Sequence, residues 1–253
     1  MSEDHDLYDA RRQFAVWLRG QGACPRRIVV LTGAGMSADS GIPTFRGNDE
    51  LWREENPTSL FTPEALRHDP VAVWRMYDAL RARIAAAVPH AGHYALAAFG
   101  RRRAMVLITQ NIDGLHQRAG SDSVYELHGN LWRLRCQHCR DVAEDTRVPL
   151  PALPPYCAHC GAVLRPDIVL FSESLPDAAL QGAWKAAECC DLLLVIGTSG
   201  VVYPAAALPG AAQQHGALTV EINPHDTALS AEMDYTIRAS AAEALPWVVE
   251  ALG

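Results

Sequence analysis

The sequence predicts an α/β fold, in which a parallel β-sheet is covered by helices on both faces. The 253 residues are 49% hydrophobic and 20% charged, a composition that can build one sizeable core, or one core plus a small insertion. The longest apolar runs, at 28–32, 104–109 and 191–199, have strand length. Helical patterns separate these runs. Strands that are apolar throughout and alternate with helices are typical of a parallel sheet buried on both sides.

Each element follows from a local pattern. Residues 7–20 have helical spacing of apolar positions, and the strand at 28–32 runs directly into glycines. The segment 47–90 holds no strand-like run, and its Thr62-Pro63-Glu64 is typical of a helix cap and first turn. Further helices are predicted at 70–87, 92–100, 204–214 and 241–253, and further strands at 104–109, within 124–131, at 191–199 and at 217–224.

Charge and the N-terminus restrict the class of protein. The formal net charge is -7, so the basic surface that favours nucleic-acid binding is absent. The N-terminal MSEDHDLYDARRQF lacks the basic start and apolar stretch of a secretory signal, and no apolar run approaches the roughly 18 residues of a membrane span. We therefore expect a cytoplasmic protein without a direct nucleic-acid or membrane partner. The sequence does not indicate an oligomeric state.

The cysteines predict a metal site. Four of the seven form two C-x2-C pairs that are 17 residues apart: Cys136, Cys139, Cys157 and Cys160. This spacing is typical of a tetrahedral four-thiolate zinc site, which leaves no open position and is therefore structural. His138 and His159 lie between the two cysteines of each pair and are alternative ligands. Of the remaining cysteines, Cys189 and Cys190 are expected to be small core residues, and Cys24 has no assigned role.

A glycine-rich turn follows the first strand. Residues 33–38, GAGMSA, satisfy the pattern G-x-G-x-x-G/A, in which glycines let the backbone approach a pyrophosphate and a following helix stabilises its charge. A tight turn without a ligand is the alternative. The Lys that follows the glycines of a P-loop is absent. A dehydrogenase would need a second strand ending in Asp or Glu about 20 residues on, and residues 47–60 contain acids but no strand.

Polar residues follow two later strands. Residues 109–116, TQNIDGLH, and residues 127–130, LHGN, come where a parallel strand ends, which is where open α/β sheets bind ligands. A capped loop with a turn at Asp113-Gly114 is the alternative for the first cluster. A histidine between a strand and a glycine, beside a nucleotide site, is a candidate general base, so we select His128, with a structural hydrogen bond as the alternative.

These motifs occur in one order in a known family. The chain resembles the sirtuins of bacterial type, which are NAD-dependent protein lysine deacylases, over roughly residues 14–250. The matching segments are GAGMSADSGIPTFRG, TQNIDGLH, LHGN, the two C-x2-C pairs, GTSGVVYPAA and EINP. The resemblance implies a large Rossmann-like NAD-binding domain and a small domain. We expect 1–46, 92–130 and 167–253 in the large domain, and the helical 47–91 and zinc-binding 131–166 in the small one.

The resemblance also implies the roles of particular residues. The catalytic residues are His128, as general base, and Asn111. The NAD-binding residues are Gly33, Ala34 and Gly35 at the phosphates; Phe45 and Arg46 beside the nicotinamide ribose; Gln110, Asn111, Ile112 and Asp113 around nicotinamide and ribose; Gly197, Thr198 and Ser199 at phosphate and ribose; Asn223 at the adenine ribose; and Ala241 near adenine. The substrate residues are Tyr77 at the acyl group and Val169, Leu170 and Phe171, which pair with the peptide backbone.

The implied activity transfers an acyl group from a protein lysine to ADP-ribose derived from NAD, with nicotinamide and free lysine as the other products. We therefore expect NAD as co-substrate, one structural Zn²⁺ and acyl-lysine proteins or peptides as partners. Mono-ADP-ribosyl transfer to a protein is an alternative that would use the same NAD site. A non-catalytic NAD or ADP-ribose sensor is a second alternative, which the retention of Asn111, Asp113 and His128 disfavours.

This chain departs from the family pattern at the acyl group. Thr44 stands where many members carry Asp, a variant shared with the subgroup that removes succinyl and malonyl groups. That subgroup also carries a Tyr-x-x-Arg pair that binds the acyl carboxylate. Here the third residue after Tyr77, where the Arg is expected, is Leu80. Arg81 comes one residue later, which on a helix is a rotation of about 100°. A neutral pocket would favour acetyl or longer apolar chains. Ser172 replaces the usual Gly of the family's Phe-Gly-Glu.

Overall fold

The computed structural model describes residues 3–22, 24–44 and 60–253. The α-helices are α1 (Glu3–Gly20), α2 (Pro63–His68), α3 (Pro70–Ala86), α4 (Ala91–Gly100), α5 (Leu115–Arg118), α6 (Asp177–Cys189), α7 (Leu208–Gln214) and α8 (Ala241–Ala251). The strands are β1 (Ile28–Thr32), β2 (Met105–Thr109), β3 (Val124–Glu126), β4 (Gly129–Cys136), β5 (Val142–Glu144), β6 (Leu164–Ile168), β7 (Leu192–Ile196), β8 (Leu218–Ile222) and β9 (Tyr235–Ile237). Short 3₁₀ helices cover Ala34–Ser40, Ala205–Ala207 and Ser230–Glu232.

The large sheet is parallel and has the strand order β3-β2-β1-β7-β8-β9. All five residues of β1 and all five of β7 are buried, because helices cover both faces. Thr32 at the end of β1 is level with Thr109 on one side and Ile196 on the other. The chain moves outward in opposite directions from β1 and β7, so a crevice for a ligand is expected where the loops after these strands diverge.

Two separate apolar cores lie on the two faces of the large sheet. One contains Phe14 of α1, Phe99 of α4 and Trp247 of α8, and its strand residues include Val30. The other lies under α6 and α7 and includes Leu208. Because both faces are sealed by helices, the carboxyl edge is the accessible place for a site built on these strands.

The small sheet is antiparallel and has the order β5-β4-β6. Its inner face joins α2 and α3 in a third core, which includes Trp74, Tyr77 and Leu134. Helix α2 begins as its sequence indicates, since the Thr62 side chain accepts a hydrogen bond from the Ala65 amide at 3.1 Å. The helical segment and the cysteine-bearing segment thus share one core. The predicted domain limits themselves stay a prediction.

The structure confirms the α/β class with a parallel sheet and corrects several details. The predicted strand within 124–131 is two strands, because the chain leaves the large sheet at Leu127 and enters the small sheet at Gly129, whose φ is +78°. Five elements were not predicted from the sequence, namely α5, α6, β5, β6 and β9. Cys190 is buried as expected, but Cys189 is exposed, so the core role predicted for it is wrong. Within the described residues, no helix combines the length and apolarity needed to cross a bilayer.

Candidate functional site

The glycine-rich turn after β1 packs directly against the loop after β7. The Gly33 amide donates to the Ile196 carbonyl at 2.9 Å, and the Gly35 amide donates to the Gly197 carbonyl at 2.8 Å. A Cβ atom on Gly33 would lie 2.8 Å from the Gly197 oxygen, and one on Gly35 would lie 2.7 Å from the Gly197 Cα. Both glycines are therefore required by this contact between two loops. The segment that follows is a short 3₁₀ helix, where the sequence analysis expected a helix without specifying its type.

The loop after β2 carries a buried polar network. The Asn111 Nδ2 donates to the Gly33 carbonyl at 3.0 Å and to the Ser37 Oγ at 3.2 Å. The Ser37 hydroxyl donates to the Asp113 Oδ2 at 2.7 Å, and the Leu115 amide donates to Oδ1 at 2.8 Å. Asp113 is almost fully buried, and this burial raises the pKa of its carboxyl group. The network fixes the side chains of Asn111 and Asp113 relative to the glycine turn.

Ser37 is a site residue that was not predicted from the sequence. It lies inside the GAGMSA motif, and its side chain is buried. A buried hydroxyl needs a hydrogen-bond partner, so a serine in a segment this apolar was the available signal.

His128 lies between β3 and β4, and its ring orientation determines its chemistry. Its Nδ1 is 2.8 Å from the Gln110 carbonyl oxygen, which can only accept. Nδ1 therefore carries the proton, and Nε2 has a free lone pair. Burial lowers the pKa of His128 below its ordinary value, although the bond to Gln110 opposes this shift. A neutral imidazole with Nε2 as acceptor is the form that a general base requires.

The loops after β2, β7 and β8 meet at Thr198. The Gln110 Nε2 donates to the Thr198 Oγ1 at 3.2 Å, and the Asn223 Nδ2 donates to the Thr198 carbonyl at 3.1 Å. Gln110, Thr198 and Asn223, which are far apart in sequence, are thereby brought together at one edge of the sheet. Ile112 lies on the loop after β2 and Ser199 on the loop after β7, whereas Ala34 begins the 3₁₀ helix after β1.

Ala241 is the first residue of α8, and its side chain is part of the core. The amide of the next residue, Ala242, donates to the Asp39 Oδ2 at 3.2 Å, which connects α8 to the 3₁₀ helix after the glycine turn. The expected place of Ala241 near adenine stays a prediction. Phe45 and Arg46 lie outside the described residues.

Three histidines without a predicted role, His90, His93 and His116, pack behind this edge. The His90 Nε2 donates to the Met36 carbonyl at 2.6 Å, and the His90 and His93 rings are 4.2 Å apart between centroids. The His116 Nε2 is 3.1 Å from the Thr32 Oγ1. Burial lowers the pKa of His93 to about 2 and that of His116 to about 4, so both are neutral near pH 7.

The residues expected to contact the substrate differ in exposure. Phe171 is 52% exposed, whereas Leu170 is buried. The Val169 amide donates to the His128 carbonyl at 2.9 Å, and the Phe171 amide donates to the Phe61 carbonyl at 2.8 Å. The segment 169–171 therefore lies beside the candidate base, with these amides already bonded within the chain.

Tyr77 and its neighbours on α3 are buried in the third core. The Tyr77 hydroxyl has no hydrogen-bond partner among the described residues, and burial raises the pKa of this hydroxyl. Leu80 is 4% exposed and is also in that core. The Arg81 guanidinium is fully buried and donates to the Leu131 carbonyl at 2.7 Å and the Asp145 carbonyl at 2.6 Å. Arg81 is thus bound to the small sheet.

The four cysteines form a compact metal site at one end of the small sheet. Their Sγ atoms all lie within 4.8 Å of one another, with 3.4 Å between Cys136 and Cys160 and 3.7 Å between Cys139 and Cys157. A tetrahedral zinc with Zn–S bonds of about 2.3 Å requires S–S separations of roughly 3.8 Å, so the four thiolates fit this ion. Neither His138 nor His159 belongs to the group, and His159 instead lies 3.4 Å from Asp141.

The geometry therefore defines a Rossmann-like sheet with a polar site at its carboxyl edge, next to a small sheet with a four-thiolate zinc site. Residues 33–204 match the Sir2 family model. The NAD-dependent protein deacylase of Aquifex aeolicus is 50% identical over 84% of this chain and 90% of its own length. The chain belongs to the Sir2 family.

Other relatives and solved structures agree. An NAD-dependent protein deacylase of Ralstonia nicotianae is 48% identical over 87% of this chain and 89% of its own. A Sir2 homologue solved with NAD is 42% identical, with a TM-score of 0.85 and 90% of each chain covered. A Sir2 variant solved with a deacetylated p53 peptide and 3'-O-acetyl ADP-ribose is 32% identical, with a TM-score of 0.83, covering 94% of this chain and 97% of its own.

Proposed function

We propose that this protein is an NAD-dependent protein lysine deacylase, which transfers the acyl group to ADP-ribose and is in this sense a transferase. The observation that carries the proposal is the His128 ring, whose Nδ1–H is bonded to the carbonyl of Gln110, the residue before Asn111, so that Nε2 is the basic atom. The names of the relatives and the NAD-bound homologue support it. A sensor would need no basic imidazole at this place.

The reaction needs few groups from the protein. The acyl oxygen of the substrate bonds to the ribose carbon that carries nicotinamide, and nicotinamide leaves with the electron pair of the broken C–N bond. His128 Nε2 accepts the proton of a ribose hydroxyl, which then attacks the acyl carbon. Water completes the reaction and releases free lysine and O-acyl-ADP-ribose. Asn111 and Asp113 orient the nicotinamide end, and the buried surroundings exclude bulk water.

We expect the other site residues to keep the roles that the resemblance implies. Gly33, Ala34 and Gly35 approach the phosphates, Thr198 and Asn223 approach the riboses, and the segment 169–171 binds the peptide. Four of the cysteines form a group that fits zinc, and thiolate metal sites are typical of a reducing compartment, so we propose a cytoplasmic location.

Replacement of His128 by Ala tests the proposal directly. Loss of the base should lower the deacylation rate about 10²- to 10⁴-fold and leave NAD binding intact. The rate is measured with an acetyl-lysine peptide with and without NAD, and the affinity by calorimetry. Replacement of the exposed His215 by Ala is the control and should change neither. Normal turnover in His128→Ala, or turnover without NAD, would refute the proposal. An adenine label from NAD that stays on a protein would instead indicate ADP-ribosyl transfer.

We further propose that the preferred acyl group is neutral, either acetyl or a longer apolar chain. Arg81 cannot bind an acyl carboxylate, because its guanidinium is buried against the carbonyls of Leu131 and Asp145. Tyr77 offers a neutral hydroxyl, and Leu80 offers no charge. Wild-type protein should deacylate acetyl-lysine at least about tenfold faster than succinyl-lysine, since a buried carboxylate without a partner is costly. Replacement of Leu80 by Arg should shift this ratio toward succinyl, and Leu80→Gln should not.

A further inference from the structure

One strand connects the candidate base to the zinc site. β4 begins at Gly129, directly after His128, and ends at Cys136, which is one of the four thiolate ligands. Its pairing with β6 continues through Cys136, which lies opposite Leu164. β4 therefore begins next to the large sheet and ends in the group of four cysteines that fits zinc.

β4 also holds the loop that carries Asp113. The Leu131 amide donates to the Ile112 carbonyl at 2.9 Å, and the Trp132 indole Nε1 donates to the Asp113 carbonyl at 2.7 Å. Gly114, at φ +74°, lies so close to the indole that a Cβ atom on it would be 2.9 Å from Trp132 Cδ1. The main chain on both sides of the Asp113 side chain is thus fixed by residues of the small sheet.

The Trp132 indole packs against the guanidinium group of Arg81. The guanidinium carbon of Arg81 lies 4.9 Å from the centre of the Trp132 ring, and this cation–π contact is fully buried on the Arg81 side. Arg81 also donates to the carbonyl of Leu131, next to the indole, and to the carbonyl of Asp145. The Asp145 amide donates to the Trp132 carbonyl at 2.8 Å, so Asp145 is bonded both to Arg81 and to Trp132. A buried charge with this many fixed partners permits little movement of the ring.

We propose that Trp132, supported by Arg81, is a positioning residue for the nicotinamide end of the NAD site and couples the zinc-bearing sheet to that site. The inference rests on the proposed function for the identity of the ligand. The Trp132 indole bonds to the main-chain carbonyl of Asp113 and so positions this residue. The Asp113 carboxyl group has two further bonds, from the Ser37 hydroxyl and the Leu115 amide. ADP-ribose lacks nicotinamide, so its binding should not depend on the indole–carbonyl bond.

Trp132→Phe removes the N–H donor and keeps an aromatic ring above Arg81. Trp74→Phe is the matched control, because Trp74 and Trp132 both pack in the third core. The Trp74 Nε1 donates to the Leu164 carbonyl at 2.9 Å and not to the loop after β2. For both variants we would measure kcat and KM for NAD, inhibition by nicotinamide, and the affinities for NAD and ADP-ribose by calorimetry. The melting temperature reports the loss of stability in each.

Trp132→Phe should lower kcat about tenfold and weaken nicotinamide inhibition by a similar factor, since small displacements of orienting groups have large effects on rate. Its affinity for NAD should fall relative to that for ADP-ribose, which should stay within about twofold of wild type. Trp74→Phe should lower the melting temperature and leave kcat and this affinity ratio unchanged. Equal kinetic effects in the two variants, or an unchanged Trp132→Phe enzyme, would overturn the inference. If wild-type protein fails to deacylate, the proposed function fails, and the ratio of NAD to ADP-ribose affinities still tests the role of Trp132.

Discussion

The two sheets of this molecule are stabilised by different means. In the large sheet, β1 and β7 are buried along their whole length, and the polar groups near the carboxyl edge, such as Thr32 and His116, are neutral and bonded to one another. In the small sheet, β5 is exposed at all three residues, and charged side chains line β4 and β6. The large sheet is stabilised by apolar burial, whereas the small sheet has the third core and a group of four cysteines that fits zinc.

This difference has a functional meaning. A site on a buried parallel sheet is rigid, because its loops leave strands that cannot move without exposing core residues. The small sheet has a core of its own, yet it holds the loop of Asp113 through Trp132. The two regions can be changed separately by substitution, by chelation and by pH.

Loss of the metal should have the largest effect. A closed four-thiolate site contributes directly to folding, so zinc chelation or replacement of Cys157 by Ser should lower the melting temperature by at least about 10 °C. Replacement of the exposed Cys189 by Ser is the control and should have little effect. Calorimetry measures both. A chelated sample that keeps its melting temperature and loses only activity would show that the metal is not structural.

Acidification should destabilise the large-sheet side through its buried histidines. The folded-state pKa of His116 is lowered to about 4, so between pH 6.5 and about 4 the unfolded chain binds a proton that the folded chain does not. Stability is therefore lost as the pH falls through this window. His116 alone should contribute about 2 kcal/mol of loss between pH 7 and pH 5.

Thermal unfolding at the two pH values tests this prediction. In His116→Gln, the fall in melting temperature between pH 7 and pH 5 should be smaller than in wild type by about 4–8 °C. His215→Gln, at an exposed position, should behave as wild type. A His116→Gln protein with the full wild-type pH dependence would contradict the assignment of the buried neutral histidine.

The ion pairs of the small sheet should matter least. The Arg135 Nη2 lies 2.6 Å from the Asp167 Oδ1, but the Arg135 side chain is 41% exposed. Arg135→Gln should therefore cost at most about 1 kcal/mol, because water screens the pair and Asp167 keeps its bond from Arg133. Urea unfolding of wild type and Arg135→Gln measures this difference in the free energy of unfolding. A loss as large as that of Cys157→Ser would mean that charge pairing, and not the metal, holds this sheet.

Local patterns were sufficient for much of the fold. The strands at 28–32 and 192–196, the Thr62 cap and the cysteine pairs could be predicted because apolar periodicity, capping chemistry and ligand spacing act over short distances. α6 was missed between the zinc segment and β7, where no motif drew attention to its helical pattern. The strand at 124–131 was predicted as one because a local pattern does not reveal that a chain changes sheets at Gly129.

The sequence by itself determined the parallel sheet and the group of four cysteines, and it was sufficient to select His128 as the candidate base, since each depends on residue type and spacing along the chain. Only the tertiary structure decided which His128 nitrogen is basic, because the deciding carbonyl belongs to Gln110. Tertiary structure also decided that Arg81 supports Trp132, and that Ser37 connects Asn111 to Asp113. Buried hydrogen bonds join residues that are distant in sequence, so their partners become known only when the chain is folded.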